Sequence, residues 1–235
     1  MTTVILLRHG RTTANTGGVL AGWTPGVRLD ETGQAQVKAV GERLGRVPLA
    51  AVVSSPLERC QETAAAVADG RDREILTDDR LGEARYGEWT GQELKKLAKH
   101  PLWKVVQAHP SAVVFPGEAG ESLRGMQQRA VDAVREWDAK VAAQAGPDAV
   151  WAAVSHGDVI KSIVADALGL HLDGFQRIVA DPCSVTVIRY TELRPFVVRL
   201  NDVGGDVSGL MPPKRRRRRA KPSSDAVVGG GAGGA

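Results

Sequence analysis

Apolar positions along this chain gather first into short, closed runs. Val4 to Leu7 is an aliphatic and β-branched run that stops at Arg8-His9-Gly10, and Ala149 to Val154 is a second that stops at Ser155-His156-Gly157. Unbroken apolar runs of this length predict buried strands that feed loops. Ala51 to Val53 predicts a third. Beyond the second run, Val159, Ile160, Ile163, Val164 and Ala167 recur at helical spacing, and Val37, Val40 and Leu44 share a face of a helix that Asp30 can cap. Ser55-Pro56-Leu57-Glu58 has the form of a capping box with proline at the first helical position. It predicts a helix start there, with Arg59 in the first turn.

Residues 80–91 carry Gly82, Gly87 and Gly91 among aromatics and predict a loop or hairpin. Residues 92–109 and 121–144 predict helices, and the Pro- and Gly-bearing stretch from His109 to Gly120 between them has the length of a lid. Val185 to Tyr190 and Phe196 to Leu200 predict late strands, parted by a turn near Pro195. Strands alternating with helices argue for an α/β fold, a three-layer αβα sandwich around a mainly parallel sheet. From Pro212 onward the pattern ends in a basic run, then Pro-Ser-Ser and Gly-Ala repeats. Such a stretch buries too little apolar surface to offset its ordering entropy. The reading is therefore one domain over 1–211 and a disordered tail over 212–235, whose removal is expected to leave catalysis and stability unchanged.

Composition narrows the class. At 235 residues and 43% apolar the chain can bury a sizeable core. Its net charge of +4 belongs to the tail: seven basic residues from Lys214 to Lys221 stand there against Asp225, which leaves residues 1–211 at −2. The folded part thus has no global nucleic-acid footprint. The tail is read as solvated, with counterion-release contact to nucleic acid or anionic lipid as the alternative. Two cysteines, Cys60 and Cys183, are too few for a disulfide framework or a cysteine zinc site. No apolar run reaches the length of a signal peptide core or a membrane span. A cytoplasmic protein without membrane segments is expected.

Loops at the carboxyl ends of strands in open α/β sheets are where ligands bind, and both His-Gly units belong there. A strand ending in His-Gly is by itself no more than a polar turn. Its company gives it meaning, because Arg8 directly precedes His9 and Arg59 lies at a helix start, supplying guanidinium forks and free N–H groups suited to phosphate.

Leu7-Arg8-His9-Gly10-Arg11-Thr12 with Asn15, Gly22-Trp23, and Leu29-Asp30-Glu31-Thr32-Gly33 resemble the signature of the histidine phosphatase superfamily. Ser54 to Ala64, Leu81-Gly82-Glu83 with Tyr86 to Gly91, and Val154-Ser155-His156-Gly157 are similar to its later blocks, in the same order. The likeness spans residue 3 to about 200. It points to the phosphoglycerate-mutase-like branch and, within it, to actinobacterial phosphatases. The resemblance implies that neutral His9 attacks phosphorus, with a backbone carbonyl holding its other ring proton. It implies that Arg8, Arg59 and His156, with Asn15 and the Gly22 backbone, surround the transferred group. Glu83 would protonate the leaving alkoxide and later activate water, with no metal and no cofactor.

The expected function is hydrolysis of a small phosphomonoester through phosphohistidine. The alternatives are a phosphoglycerate mutase-type isomerase using the same intermediate, and a binding protein acting through the basic tail. Mutases of this superfamily carry an arginine pair between the positions of Glu83 and Pro116, whereas this chain offers Arg85, Lys95, Lys96, Lys99 and Lys104 without one. His100, His109 and His171 are read as surface or packing residues, and Trp23, Tyr86, Trp89, Trp103 and Cys60 as packing. The motifs specify the reacting group and leave the alcohol open among glycolytic acids, sugar phosphates, nucleotides and cofactor precursors.

Overall fold

Because successive side chains of a strand point to opposite faces, a wholly apolar strand can serve two cores at once, and the fold is organised on that property. The computed structural model describes residues 2–205 and 228–231. In chain order the elements are β1 (Thr2–Arg8), α1 (Thr13–Gly17), α2 (Glu31–Leu44), β2 (Leu49–Ser54), α3 (Glu58–Ala68), β3 (Ile75–Thr77) and α4 (Leu94–Leu97). Then follow α5 (Pro101–Ala108), α6 (Leu123–Ala145), β4 (Val150–Ser155), α7 (Gly157–Ala167), β5 (Val185–Tyr190) and β6 (Pro195–Asp202). The strands form one sheet in the order β3-β2-β4-β1-β5-β6. The first four are mutually parallel, and β5 and β6 close one side antiparallel.

Val4 and Leu6 of β1, with Val53, Trp151 and Ala153, face a core completed by Met126, Ala130 and Val134 of α6 and Ile160 and Ile163 of α7. Ile5 and Leu7, with Val52, Ala152 and Val154, face the other core, completed by α2 and α3 through Val37, Val40, Leu44, Cys60, Ala64 and Val67. This is the expected sandwich. Each buried aliphatic side chain stabilises it by roughly 1.5–3 kcal/mol, so polar side chains gather where the strands end. Asp30 caps α2 as expected, accepting from the Gly33 amide at 2.7 Å. No helix among the described residues is long and apolar enough to cross a membrane.

Four expectations need correction. Helix α3 starts only at Glu58, with Leu57 and no side chain in the capping position; the Ser55 hydroxyl accepts from the Leu57 amide at 3.3 Å and lies 2.8 Å from His156 Nε2. The helix expected over 92–109 is two: Pro101 starts a new one, and His100 caps it by accepting from the Leu102 amide at 3.1 Å. The stretch from His109 to Gly120 is anchored rather than lid-like, since Val113 and Phe115 are buried and Phe115 packs edge-on against Tyr86 at 4.9 Å. Lastly, Val228 is only 2% exposed and joins the α6/α7 core, so residues 228–231 do not behave as a tail without native contacts. The basic run and the boundary at 211/212 lie outside the described residues.

Candidate active site

Strands β1 and β4 are parallel neighbours with Arg8 opposite Ser155, so the next residue of each leaves the sheet at the same edge. His9 and His156 therefore stand side by side, ring centroids 5.2 Å apart. The His9 amide donates to the Ser155 carbonyl at 3.0 Å. Its ring Nδ1 lies 2.7 Å from the Gly10 carbonyl. A carbonyl can only accept, so the proton sits on Nδ1 and Nε2 carries the lone pair. Burial first, then Arg59 and Arg8, hold the His9 pKa well below its ordinary value near 6.5. The ring is a neutral nucleophile with its tautomer fixed.

Arg59, in the first turn of α3 and buried, donates from Nη2 to the Gly22 carbonyl at 2.8 Å and to His156 Nδ1 at 3.3 Å. A guanidinium only donates, so His156 Nδ1 accepts and its Nε2–H donates to Ser55 Oγ. Burial and Arg59 keep His156 neutral as well. Arg59 Nη1 is buried with no hydrogen-bond partner among the described residues. An unsatisfied buried cationic donor is costly, and an anion would satisfy it. Arg8 is fully buried at the end of β1, donating from Nη1 to the Ala180 carbonyl at 2.8 Å and from Nη2 to the carbonyls of Gly229 at 3.3 Å and Gly231 at 2.6 Å.

Glu83 follows a 3-10 turn over Asp79–Leu81 and is 4% exposed. Burial, reinforced by the negative Asp158, lifts its pKa to about 7. Its loop is clamped from behind. Arg129 of α6 donates to the carbonyls of Arg80, Gly82 and Glu83 at 2.6–3.0 Å and pairs with Glu121, and Trp23 Nε1 donates to the Glu83 carbonyl at 2.6 Å. Asn15 closes a capping box with Thr12 through its amide oxygen, at 3.0 Å from the Thr12 amide. Asp158 is buried; Lys161 donates to its Oδ1 at 3.0 Å, and Tyr86 Oη donates to its Oδ2 at 3.1 Å.

His9, Asn15, Gly22, Arg59 and Glu83 line one cavity together with Leu20, Tyr86, Val228, Gly229 and Gly231. Arg8 and His156 stand behind that lining. His156 stands beside His9 and accepts from Arg59, and the Gly22 carbonyl holds Arg59 in place. Sequence reasoning took Ser55 for a cap and Tyr86 for packing, and missed Arg129 and the hydrogen bonds that join Asp158 to Lys161 and Tyr86. Only the network left a trace: two opposite charges, Asp158 and Lys161, three residues apart in the first turns of the largely apolar α7. Cys60 is a packing residue whose thiol burial pushes up to about 12. His109 and His171 are exposed beside Asp173, as expected. Among the described residues no three His, Cys, Asp or Glu side chains group so as to hold a metal ion.

A neutral imidazole beside buried guanidinium groups, at the carboxyl edge of a parallel sheet, defines a phosphoryl-transfer type of site on an α/β sandwich. The profile of the histidine phosphatase superfamily, branch 1, matches residues 4–203, and the chain belongs to that superfamily. Phosphoserine phosphatase 1 of Hydrogenobacter thermophilus is 29% identical over 86% of this chain and 92% of its own length. A 2,3-bisphosphoglycerate-dependent phosphoglycerate mutase 2 of Gloeobacter violaceus is 30% identical over 78% of this chain and 83% of its own. The solved Bacillus stearothermophilus YhfR superposes with a TM-score of 0.77 at 29% identity, over 87% of this chain and 98% of that one.

Proposed function

We propose that the chain hydrolyses a small phosphomonoester through a phosphohistidine on His9. The observation that carries this is the fixed tautomer of His9, whose Nε2 lone pair shares a cavity with an unpaired Arg59 donor and a carboxyl of pKa about 7. His9 Nε2 forms the N–P bond while the ester P–O bond breaks, and protonated Glu83 gives its proton to the departing alkoxide. Water then attacks phosphorus, Glu83 takes its proton, and the N–P bond breaks to release orthophosphate and neutral His9. Arg59, Arg8 and Asn15 neutralise and hold the equatorial oxygens, which is most of what phosphoryl transfer asks of a protein. His156 orients Arg59; donating to the phosphoryl group itself would require its Nε2–H to leave Ser55. The relatives' names support a small phosphorylated metabolite as substrate. Two buried free thiols fit a reducing cytoplasm.

One observation favours hydrolysis over mutase chemistry. Arg59 is the one cation among the described residues lining the cavity, whereas Arg85 stacks on Trp23 at 4.1 Å and Lys96 pairs with Glu93. Among the described residues the lining thus offers no second cation for an additional acidic group, which a mutase must hold while its intermediate turns over. The test is acid-quenched turnover of labelled substrate with EDTA present, scoring free phosphate and isomer separately. Acid-labile, base-stable label on His9, lost in His9→Ala, with free phosphate as product, is expected. Label on aspartate or cysteine, or a strict metal requirement, would overturn the mechanism.

A further inference from the structure

We propose that the cavity is also a binding site for peptide backbone, whose ligand is this chain's own Val228-Gly229-Gly230-Gly231 segment, bound in competition with the phosphate ester. The inference rests on the phosphatase reading for what is displaced. The segment is read as main chain: the Gly229 amide donates to Asp158 Oδ2 at 2.9 Å, and Arg8 Nη2 donates to the carbonyls of Gly229 and Gly231. A buried acceptor and a buried cationic donor thus hold the N–H and the C=O of a single residue. Charge-assisted hydrogen bonds of this kind are about twice as strong as neutral ones.

The side chains fit the same reading. Val228, 2% exposed, anchors the segment in the main hydrophobic core. Gly229 lies at φ 74° and Gly231 at φ 57°, in the left-handed region that β-branched side chains avoid. A Cβ on Gly229 would also come within 3.1 Å of Leu20 Cδ1. Valine followed by glycines therefore matches the site in shape and in backbone conformation. The composition that predicts disorder at the sequence level is the one this cavity accepts.

Occupancy excludes substrate. The segment lines the cavity beside His9, Arg59 and Glu83, and about 30 Å³ of water-accessible space remains. That holds a water or two and no phosphomonoester. Arg8 Nη2, expected to face the transferred phosphoryl group, is turned to peptide carbonyls instead. Substrate must wait for the segment to leave, so the apparent KM is the intrinsic one divided by the open fraction. The rate constant at saturation is unaffected, because no reacting atom has changed.

The experiment compares three proteins: the full chain, a chain ending at residue 227, and full-length Gly229→Val, which alters no group that meets substrate. Removing or misfitting the segment is expected to lower KM for p-nitrophenyl phosphate, and Kd for orthovanadate by calorimetry, about tenfold with kcat unchanged. A synthetic peptide of residues 226–235 should bind the truncated chain and raise its KM again without changing kcat. Equal KM and vanadate Kd in all three proteins overturns the proposal. So does loss of kcat on truncation, which would mean that the segment builds the site, or failure of the peptide to bind. Absence of phosphatase activity in every form sinks the phosphatase reading instead, while peptide binding still decides this one.

Discussion

Glu83 is a carboxyl that the fold keeps protonated near neutrality by burying it beside Asp158, at a pKa of about 7. A general acid must carry its proton in the free enzyme, and His9 is neutral throughout because its own pKa lies well below 6.5. For an alkyl phosphate, kcat/KM should therefore hold below pH 7 and fall as pH rises through about 7. Glu83→Gln should lose about 10²- to 10⁴-fold and lose that limb of the profile. With p-nitrophenyl phosphate the leaving group departs unaided, so the same variant should release a burst of nitrophenol about equal to the enzyme, then stall for want of a base. Equal slowing of both substrates without a burst would leave Glu83 as a positioning residue. Asp158 is poorly placed to substitute for it, since its oxygens are taken by Lys161, Tyr86 and Gly229. Stability should also fall with rising pH, over a lower window. A raised carboxyl pKa means that the folded state prefers the neutral form, so this group's ionisation erodes stability as pH rises from about 4.5 to about 7. Glu83→Gln should then melt above wild type at pH 8 and level with it at pH 4.

Glu83 works only if its loop is held, and the clamp comes from Arg129 on α6, far along the chain. Arg129→Met removes charged donors from three carbonyls and leaves Glu121 without its ion pair, holding only the Arg85 amide. A cost of about 1.5–3 kcal/mol is expected, in the range for losing bonds to a charged group. Turnover of an alkyl phosphate should fall more than that of an aryl phosphate, because the misplaced group is the acid. Equal falls would reduce Arg129 to a structural role. Nothing local in the sequence announces this contact, since an arginine in a long amphipathic helix reads as a solvated face. The local signals fared unevenly for related reasons. Asp30 capped the helix it preceded, whereas Ser55 shares its hydroxyl between the Leu57 amide and His156, a partner 101 residues away, and the helix begins only at Glu58. Residues 92–109 kept a helical pattern across Pro101, and the proline decided the break. A local rule holds where no tertiary partner competes for the same polar group.

At the scale of the whole molecule, the two apolar runs ending in His-Gly were enough to place both imidazoles at carboxyl ends of strands in a mainly parallel sheet; that the two strands are neighbours came from the structure. The docked end of the chain was not foreseeable, because glycine-rich composition says what a segment can adopt and nothing of what awaits it. Its presence changes the expected energetics of the intact protein. A segment that binds the native cavity and has no site in the unfolded chain stabilises by mass action, as any ligand does. A chain ending at residue 227 should therefore melt below the full chain when no anion is present, by a few degrees for about 1 kcal/mol in a domain of this size. Saturating orthovanadate should then reverse part of the difference. In the truncated protein the anion gains its whole binding free energy, while in the full chain it must first displace the segment, so the vanadate-induced rise in Tm should be larger after truncation. Differential scanning calorimetry of both proteins across a vanadate series reads this directly. Parallel shifts of equal size would mean that segment and anion do not compete, and a vanadate effect confined to the full chain would mean that the segment helps to bind it.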